Sequence, residues 1–366
     1  MGHYCTNYIC VPSSENSQLN QKGDIKMICF CWLGFPQYGA RCVRAFVRST
    51  AEKVVVVASR PDVPVKGMEE LVGCDVHWVG LNDNRSLRDI LGEIPRVLTV
   101  PGWKFPVFNR FRDEVQKKGG KAIAAIDNNY VFSFKEVLKG LLVRLLYKRK
   151  YDGFWVPSLS GHKLMRFYGI PDEKIITGLY SVDGSLFRNG APLPDREKRL
   201  LFVGQFIDRK NVLRLCKSFL RANEIVGQDW ILEMCGCGPL KSVLPNDPSI
   251  VAHDFVQPEK VAGLYQKARA FIIPSKEDHW PLVMHEAVLS GCLLLTSNRC
   301  GDMVDFLDNG VNGYSFSPFS TEQMTDAIIK AMQMSDDKLL IAQQKSLELG
   351  NRITLQTFVD SVYRFT

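Results

Sequence analysis

Short apolar runs, each closed by a polar or glycine-bearing turn and followed by apolar residues three and four apart, repeat along most of the chain. Residues 28–33, 53–58, 76–79, 96–100, 121–126, 154–157 and 174–176 read as strands, with helices over 41–50 and 109–118 between them. Strands and helices alternating at this spacing predict parallel β-α-β units and a doubly wound sheet. A charged linker, 193–199, follows Pro192, and then the rhythm restarts. Strands are predicted at 200–205, 230–234, 270–273 and 293–298, and a helix carries Val212, Leu215, Cys216 and Phe219 on one face. The pattern divides the chain into Rossmann-like domains at 27–192 and 199–345, with a C-terminal helix at 346–366 that could pack back on the first domain. Residues 1–26 are polar, with Ser13, Ser14, Glu15, Asn16, Ser17 and Gln18 at their middle, and read as a loose extension.

Composition narrows the class. With 46% hydrophobic and 23% charged residues the chain is an ordinary globular one, long enough for two cores. Its eleven cysteines are scattered without a Cys-x-x-Cys pair, which suits buried thiols in a reducing compartment and predicts neither a disulfide frame nor a zinc site. No run reaches eighteen apolar residues and the start lacks the pattern of a signal peptide, so the expectation is a cytoplasmic protein. Charge is uneven: residues 1–190 hold 27 Lys or Arg against 18 Asp or Glu, and residues 191–366 hold 19 against 21. A basic first half suits a phosphorylated substrate or an anionic membrane; the motifs of nucleic-acid binding are missing.

The candidate chemistry sits where the strand at 270–273 ends in Pro274-Ser275 and a helix begins near Leu282, closing before Gly291. Strand, tight loop and helix make a cradle for phosphate, since backbone N–H groups and the positive helix end point at an anion. Asp278 lies before the helix and Glu286 within it, eight residues apart. Upstream come Gly204-Gln205 and Asp208-Arg209-Lys210 after one strand and Cys235-Gly236-Cys237-Gly238-Pro239 after another; downstream come Gly301-Asp302 and Asn309-Gly310-Val311-Asn312-Gly313.

In that order these motifs resemble glycosyltransferase family 4, the glycosyl transferases group 1, strongly over 199–330 and weakly before it. The resemblance implies the GT-B architecture: two Rossmann-like α/β domains facing each other across a cleft, with ligands at the carboxyl ends of the strands. It implies a nucleotide-sugar donor, retention of anomeric configuration, and neither metal nor cofactor; the chain has no Asp-x-Asp pair. By resemblance Lys210 stabilises the departing diphosphate, Glu286 takes the ribose hydroxyls, Asp278 contacts the transferred sugar, and Leu282 and Val283 offer backbone N–H groups. Gly39, in the glycine loop after the first strand, would by resemblance face the diphosphate; the alternative is a plain strand-to-helix turn. The chain departs from the family twice. Gln205 stands where an arginine usually follows Gly204, leaving Arg209 to compensate, and Pro281, without an N–H, stands where a glycine is usual.

On the acceptor side, Asp127 and Asn128 end a strand where the family often carries His-Asp; helix capping is the alternative. His279 and His285 flank the acidic loop, and either could contact ligand or simply pack. Residues 135–150 alternate leucines with six Lys or Arg and a single acid, Glu136. That pattern fits a core helix with a solvated face, or a helix lying on an anionic membrane near a lipid-linked acceptor. The reading is a glycosyltransferase acting on a glycan, a lipid-linked precursor or another acceptor, cytoplasmic and peripheral at the inner face of the membrane. A nucleotide-sugar epimerase and a binding protein without catalysis are the alternatives; products separate the three.

Overall fold

In the computed structural model, which describes residues 27–61, 67–130, 134–227, 229–301 and 303–366, two parallel sheets carry the predicted rhythm. The first is built from β1 (Met27–Trp32), β2 (Lys53–Ala58), β3 (Asp75–Trp78), β4 (Val97–Pro101), β5 (Lys121–Ala125), β6 (Gly153–Val156) and β7 (Ile175–Thr177), in the order 3-2-1-4-5-6-7. Around it lie α1 (Gln37–Val47), α2 (Met68–Val72), α3 (Leu87–Leu91), α4 (Pro106–Lys117), α5 (Phe134–Leu142) and α6 (Leu159–Phe167). The second contains β8 (Glu197–Val203), β9 (Ile231–Cys235), β10 (Ile250–His253), β11 (Ala268–Ile273), β12 (Leu293–Ser297) and β13 (Gly313–Phe316), in the order 10-9-8-11-12-13. Its helices are α7 (Val212–Val226), α8 (Pro258–Lys267), α9 (Leu282–Leu289), α10 (Met303–Phe306), α11 (Thr321–Met332), α12 (Asp336–Gly350) and α13 (Leu355–Tyr363).

Both sheets reverse strand order beside their first strand, between β1 and β4 and between β8 and β11. Crevices open outside the carboxyl ends of strands at such switch points. Central strands are fully buried on both faces, as in Ile28, Cys29 and Phe30 of β1 and Phe271 and Ile272 of β11, which is why they read as unbroken apolar runs.

The predicted boundaries need four corrections. Helix α1 starts at Gln37, after Pro36, rather than at Arg41, so Gly39 lies inside its first turn and not in a loop. The linker is short: a 3₁₀ turn over Leu193–Asp195 leads directly into β8. A division at 345/346 would cut α12; the chain bends between α12 and α13, and only α13 crosses to the first domain. There Phe358, Val362 and Phe365 join the core of β1 and β6, and Trp155 Nε1 donates to Ser361 Oγ at 3.0 Å. Last, the basic stretch predicted over 135–150 is α-helical only to Leu142 and then widens into a π turn over Val143–Tyr147. The side chain of Lys135, Asp302 and the extension at 1–26 lie outside the described residues.

Candidate active site

The loop after β8 and the loop after β11 meet at the switch point of the second sheet. Lys210 ends a 3₁₀ turn over Asp208–Lys210, and its Nζ is bonded to Asp278 Oδ2; both side chains are largely buried. Arg209 Nη1 lies 3.3 Å from Asp278 Oδ1 and donates to the Glu277 carbonyl at 2.8 Å, and buried Ser275 donates to Asp278 Oδ2 at 3.1 Å. Burial alone would push the Asp278 carboxyl up, but Lys210, Arg209 and Ser275 together outweigh it and hold the group below its usual range. Two cations around one carboxylate leave the cluster with an excess positive charge. Arg209 thus supplies a second cation beside Asp278.

Two glycines bring the neighbouring loops into register. A Cβ on Gly236 would sit 1.9 Å from the Gly204 carbonyl oxygen, and one on Gly238 would sit 2.5 Å from that of Phe206. In their place Gly204 N–H donates to Cys235 O at 2.9 Å and Phe206 N–H to Cys237 O at 2.8 Å. The spacing of the Gly236-Cys237-Gly238 turn is therefore dictated by backbone contact. Beside it opens a mostly apolar pocket of about 140 Å³, lined by Val203, Gly204, Gln205, Gly236, Phe255 and Val256 among others.

Helix α9 begins after Pro281, and the N–H groups of Leu282 and Val283 lie in its first turn, where no intrahelical acceptor exists. Glu286, one turn on, is half-buried and accepts from the Tyr265 hydroxyl at 3.0 Å. Burial pushes its carboxyl up to about 7, with Tyr265 pulling slightly the other way. His285 is a core residue: fully buried, stacked on Phe306 at 4.7 Å, it donates through Nε2 to the Gly350 carbonyl at 2.9 Å. Burial lowers its pKa to about 4, so it is neutral at pH 7.

Across the cleft a cavity of about 330 Å³ lies at the carboxyl ends of β1, β4 and β5. Trp32, Tyr38, Trp103, Phe105, Trp155 and Tyr180 give it aromatic walls, and Asp127, Asn128 and His279 polar ones. Burial first, and then the Asp127 charge, raise the Tyr38 and Tyr180 phenols, which stay protonated and able to donate. Gly39 does not open onto this space: a Cβ there would lie 2.9 Å from the Trp32 indole, so ring packing accounts for the glycine.

His279 joins the domains. Its Nδ1 is 2.9 Å from Asn129 Oδ1 and its Nε2 is 3.4 Å from Asn128 Nδ2. With the Asn129 oxygen as acceptor, Nδ1 carries the proton and Nε2 is the acceptor facing Asn128. Asn129 is wedged so tightly that a Cβ on Gly301 would fall 2.4 Å from its own. Arg41 adds a second tie, to Glu259 of α8 at 2.9 Å. Sequence reasoning singled out Asp127 and Asn128 but missed Asn129, which ends the same run, and Tyr265, which looks like any core aromatic of a helix. Among the described residues no three His, Cys, Asp or Glu side chains come together as a metal site requires.

Residues 185–348 match the family model of the glycosyl transferases group 1. Among solved structures the chain is similar to a glycosyltransferase from Rickettsia africae ESF-5, at 12% identity and a TM-score of 0.71 over 93% of this chain and 97% of that one. It is also similar to HepE from Anabaena in complex with UDP and glucose, at 11% identity and 0.71 over 93% and 98%. A third is the pneumococcal O-GlcNAc transferase GtfA in complex with UDP and GlcNAc, at 10% and 0.66 over 93% and 98%. Likeness at these identities is likeness of fold, and the fold is GT-B. No curated protein matches the chain by sequence.

Proposed function

We propose that this chain, whose second domain is a group 1 glycosyltransferase domain, moves a sugar from a nucleotide-sugar to a glycan or lipid-linked acceptor with retention of anomeric configuration. The observation that carries the proposal is the Lys210–Asp278–Arg209 cluster, set between the first turn of α9 and the apolar pocket beside Gly204. In this reading the nucleotide base lies in that pocket, and ionised Glu286 accepts from both hydroxyls of the ribose diol. The diphosphate then lies toward Lys210, Arg209 and the N–H groups of Leu282 and Val283. As the bond from the sugar's anomeric carbon to the diphosphate breaks, charge grows on the leaving oxygens, and fixed cations and dipoles stabilise that charge most. The acceptor hydroxyl forms the new bond on the same face, and its proton passes to the departing phosphate oxygen. Asp278, held ionised, accepts from hydroxyls of the transferred sugar.

Asp127, Asn128 and the aromatic walls of the larger cavity form the acceptor side in this reading, and His279 closes the cleft over it. HepE and GtfA hold UDP, which makes UDP-sugars the first donors to try. The cysteines among the described residues are all free, which fits the cytoplasm. The test is thermal melting with a panel of nucleotide-sugars and nucleoside diphosphates on the wild type and Glu286→Ala. A nucleotide at one hundred times its Kd adds about 2.7 kcal/mol to stability. The expected result is one nucleotide that raises the wild-type melting temperature and leaves the variant unmoved; a folded wild type that answers to none of them overturns the proposal.

A further inference from the structure

The stretch from α5 through the π turn packs the wrong way round for a surface helix. Gly140 and Val143 are its buried positions, and Glu136 on the same side accepts from the Tyr168 hydroxyl. A Cβ on Gly140 would lie 3.0 Å from the Tyr168 ring, so the glycine lets the helix settle closely on α6 by this narrow side. The opposite, wider side carries Phe134, Leu138, Leu141, Leu142, Leu145 and Leu146, exposed by 85, 56, 53, 48, 77 and 49%. At 100° per residue Phe134, Leu138, Leu141 and Leu142 of α5 share one face, and the exposed Leu145 and Leu146 continue the apolar stripe through the π turn. Solvated faces of helices in globular proteins are polar; here the leucines face out and the small residues face in.

Cations edge the stripe and continue beyond it. Lys139, Arg144, Arg149 and Lys150 are exposed, and Glu136 is the lone acid from 134 to 150. That acid is already engaged on the inner side with Tyr168 and with Lys139 at 3.0 Å. A second copy of the chain is a poor occupant, since a two-fold pairing would set this basic face against itself. A bilayer with anionic headgroups meets both demands, taking up the leucines between its acyl chains and pairing the cations at the headgroup level. The stripe also adjoins the acceptor cavity: Tyr147, in the π turn, stacks on Trp103 of the cavity wall at 5.1 Å and 22°. Among the described residues no helix is long and apolar enough to cross a membrane, so contact is by lying on the surface.

We propose that the first domain docks on an anionic membrane surface through the leucine face of α5 and its π turn, which sets the mouth of the acceptor cavity at the lipid headgroups. The docking itself stands apart from the glycosyltransferase reading. What rests on that reading is its corollary, that the acceptor is lipid-linked.

The test is flotation of the full chain with vesicles of phosphatidylcholine, alone or with about 30% phosphatidylglycerol, the anionic fraction supplying the surface potential. The wild type is expected to float with the anionic vesicles only. The double variant Leu141→Ser/Leu145→Ser, altered at exposed positions and checked by an unchanged melting curve, should lose at least about tenfold in partition, because the apolar signal is gone. Arg149→Glu/Lys150→Glu should bind weakly and lose its salt dependence. Equal flotation of wild type and leucine variant, or equal binding to neutral and anionic vesicles, overturns the proposal. So does a wild-type dimer that the leucine variant dissociates while neither floats. A nucleotide-induced melting shift retained in the leucine variant separates the two readings: flotation without any nucleotide response sinks the donor site alone, and a nucleotide response without flotation sinks the docking alone.

Discussion

Glu286 is where a single residue's chemistry can be read by titration. Its carboxyl is raised to about 7 by burial, from an ordinary value of 4.5. Between those two values the native state holds a proton that the unfolded chain has lost, so stability falls as pH rises through the window and stays lower above it. Glu286→Gln keeps the contact with Tyr265 and removes the titration. The variant should match the wild type near pH 4.5 and exceed it by about 2 kcal/mol at pH 8, after allowance for the residue's partial exposure; urea melts at the two pH values measure it. Nucleotide-sugar affinity should run the other way. The carboxylate offers an anionic oxygen to each hydroxyl of a diol, whereas the protonated group turns one of its oxygens into a donor, so binding by the wild type should weaken as pH falls below 7, read by calorimetry. Asp278 has the opposite sign. Its lowered carboxyl gives stability that is present above the unfolded value and lost as pH falls through the native one. Asp278→Asn leaves Lys210 largely buried without its counter-charge, and should cost about 3 kcal/mol at neutral pH and flatten the acid limb of the stability curve.

At the scale of elements, the central strands are legible because both of their faces are buried. The two edge strands of the second sheet are not: β10 is only half-buried along its four residues and β13 at its middle two, so neither makes an unbroken apolar run. The start of α1 escapes for a related reason. Tyr38 lines the larger cavity and Gln37 is half-buried, so the first turn has no core-facing period to announce it. In α5 the amphipathic pattern is plain in the sequence, but which face meets the protein depends on the contact of Gly140 with Tyr168, which no periodicity reveals. Lys210, Asp278 and Glu286 could be named only because their loops resemble a known order of motifs; Asn129 and Tyr265 enter through contacts between elements far apart in the chain. The glycines give the element-scale test. Gly236→Ala drives a methyl into the Gly204 carbonyl and should cost several kcal/mol, on the order of 3 or more, with loss of nucleotide binding. Gly263→Ala in α8, where nothing lies within 4 Å of the new methyl, should instead stabilise by about 0.5–1 kcal/mol. Chemical denaturation of the pair distinguishes a glycine required by packing from one that is tolerated.

Over the whole molecule the chain is threaded so that the first domain is completed by its last helix. Phe358 of α13 is fully buried against Phe30 and Trp155, with ring centroids 6.1 and 5.0 Å away, and Lys121 Nζ reaches the Phe365 carbonyl at 3.2 Å. Between the two sheets the cleft is spanned by polar ties, His279 on Asn129 and Arg41 on Glu259, while Val182 and Phe187 of the connecting segment are buried in the core of the second sheet. The helix therefore couples the domains through burial and the cleft couples them through hydrogen bonds. Phe358→Ala should cost about 3–5 kcal/mol, and the loss should fall on the first domain although the mutated residue follows the second in sequence. Hydrogen exchange checks this: amides of β1 and β6 should lose protection while those of β8 and β11 keep it. His279→Ala should do the reverse of a core mutation. It should leave both sheets protected, because no apolar area is lost, yet raise amide exchange at the rim residues Asn128 and Asn129, where the cleft opens. Uniform loss of protection in both sheets after Phe358→Ala would mean that the domains unfold as one unit and that the polar ties across the cleft carry more than their geometry implies.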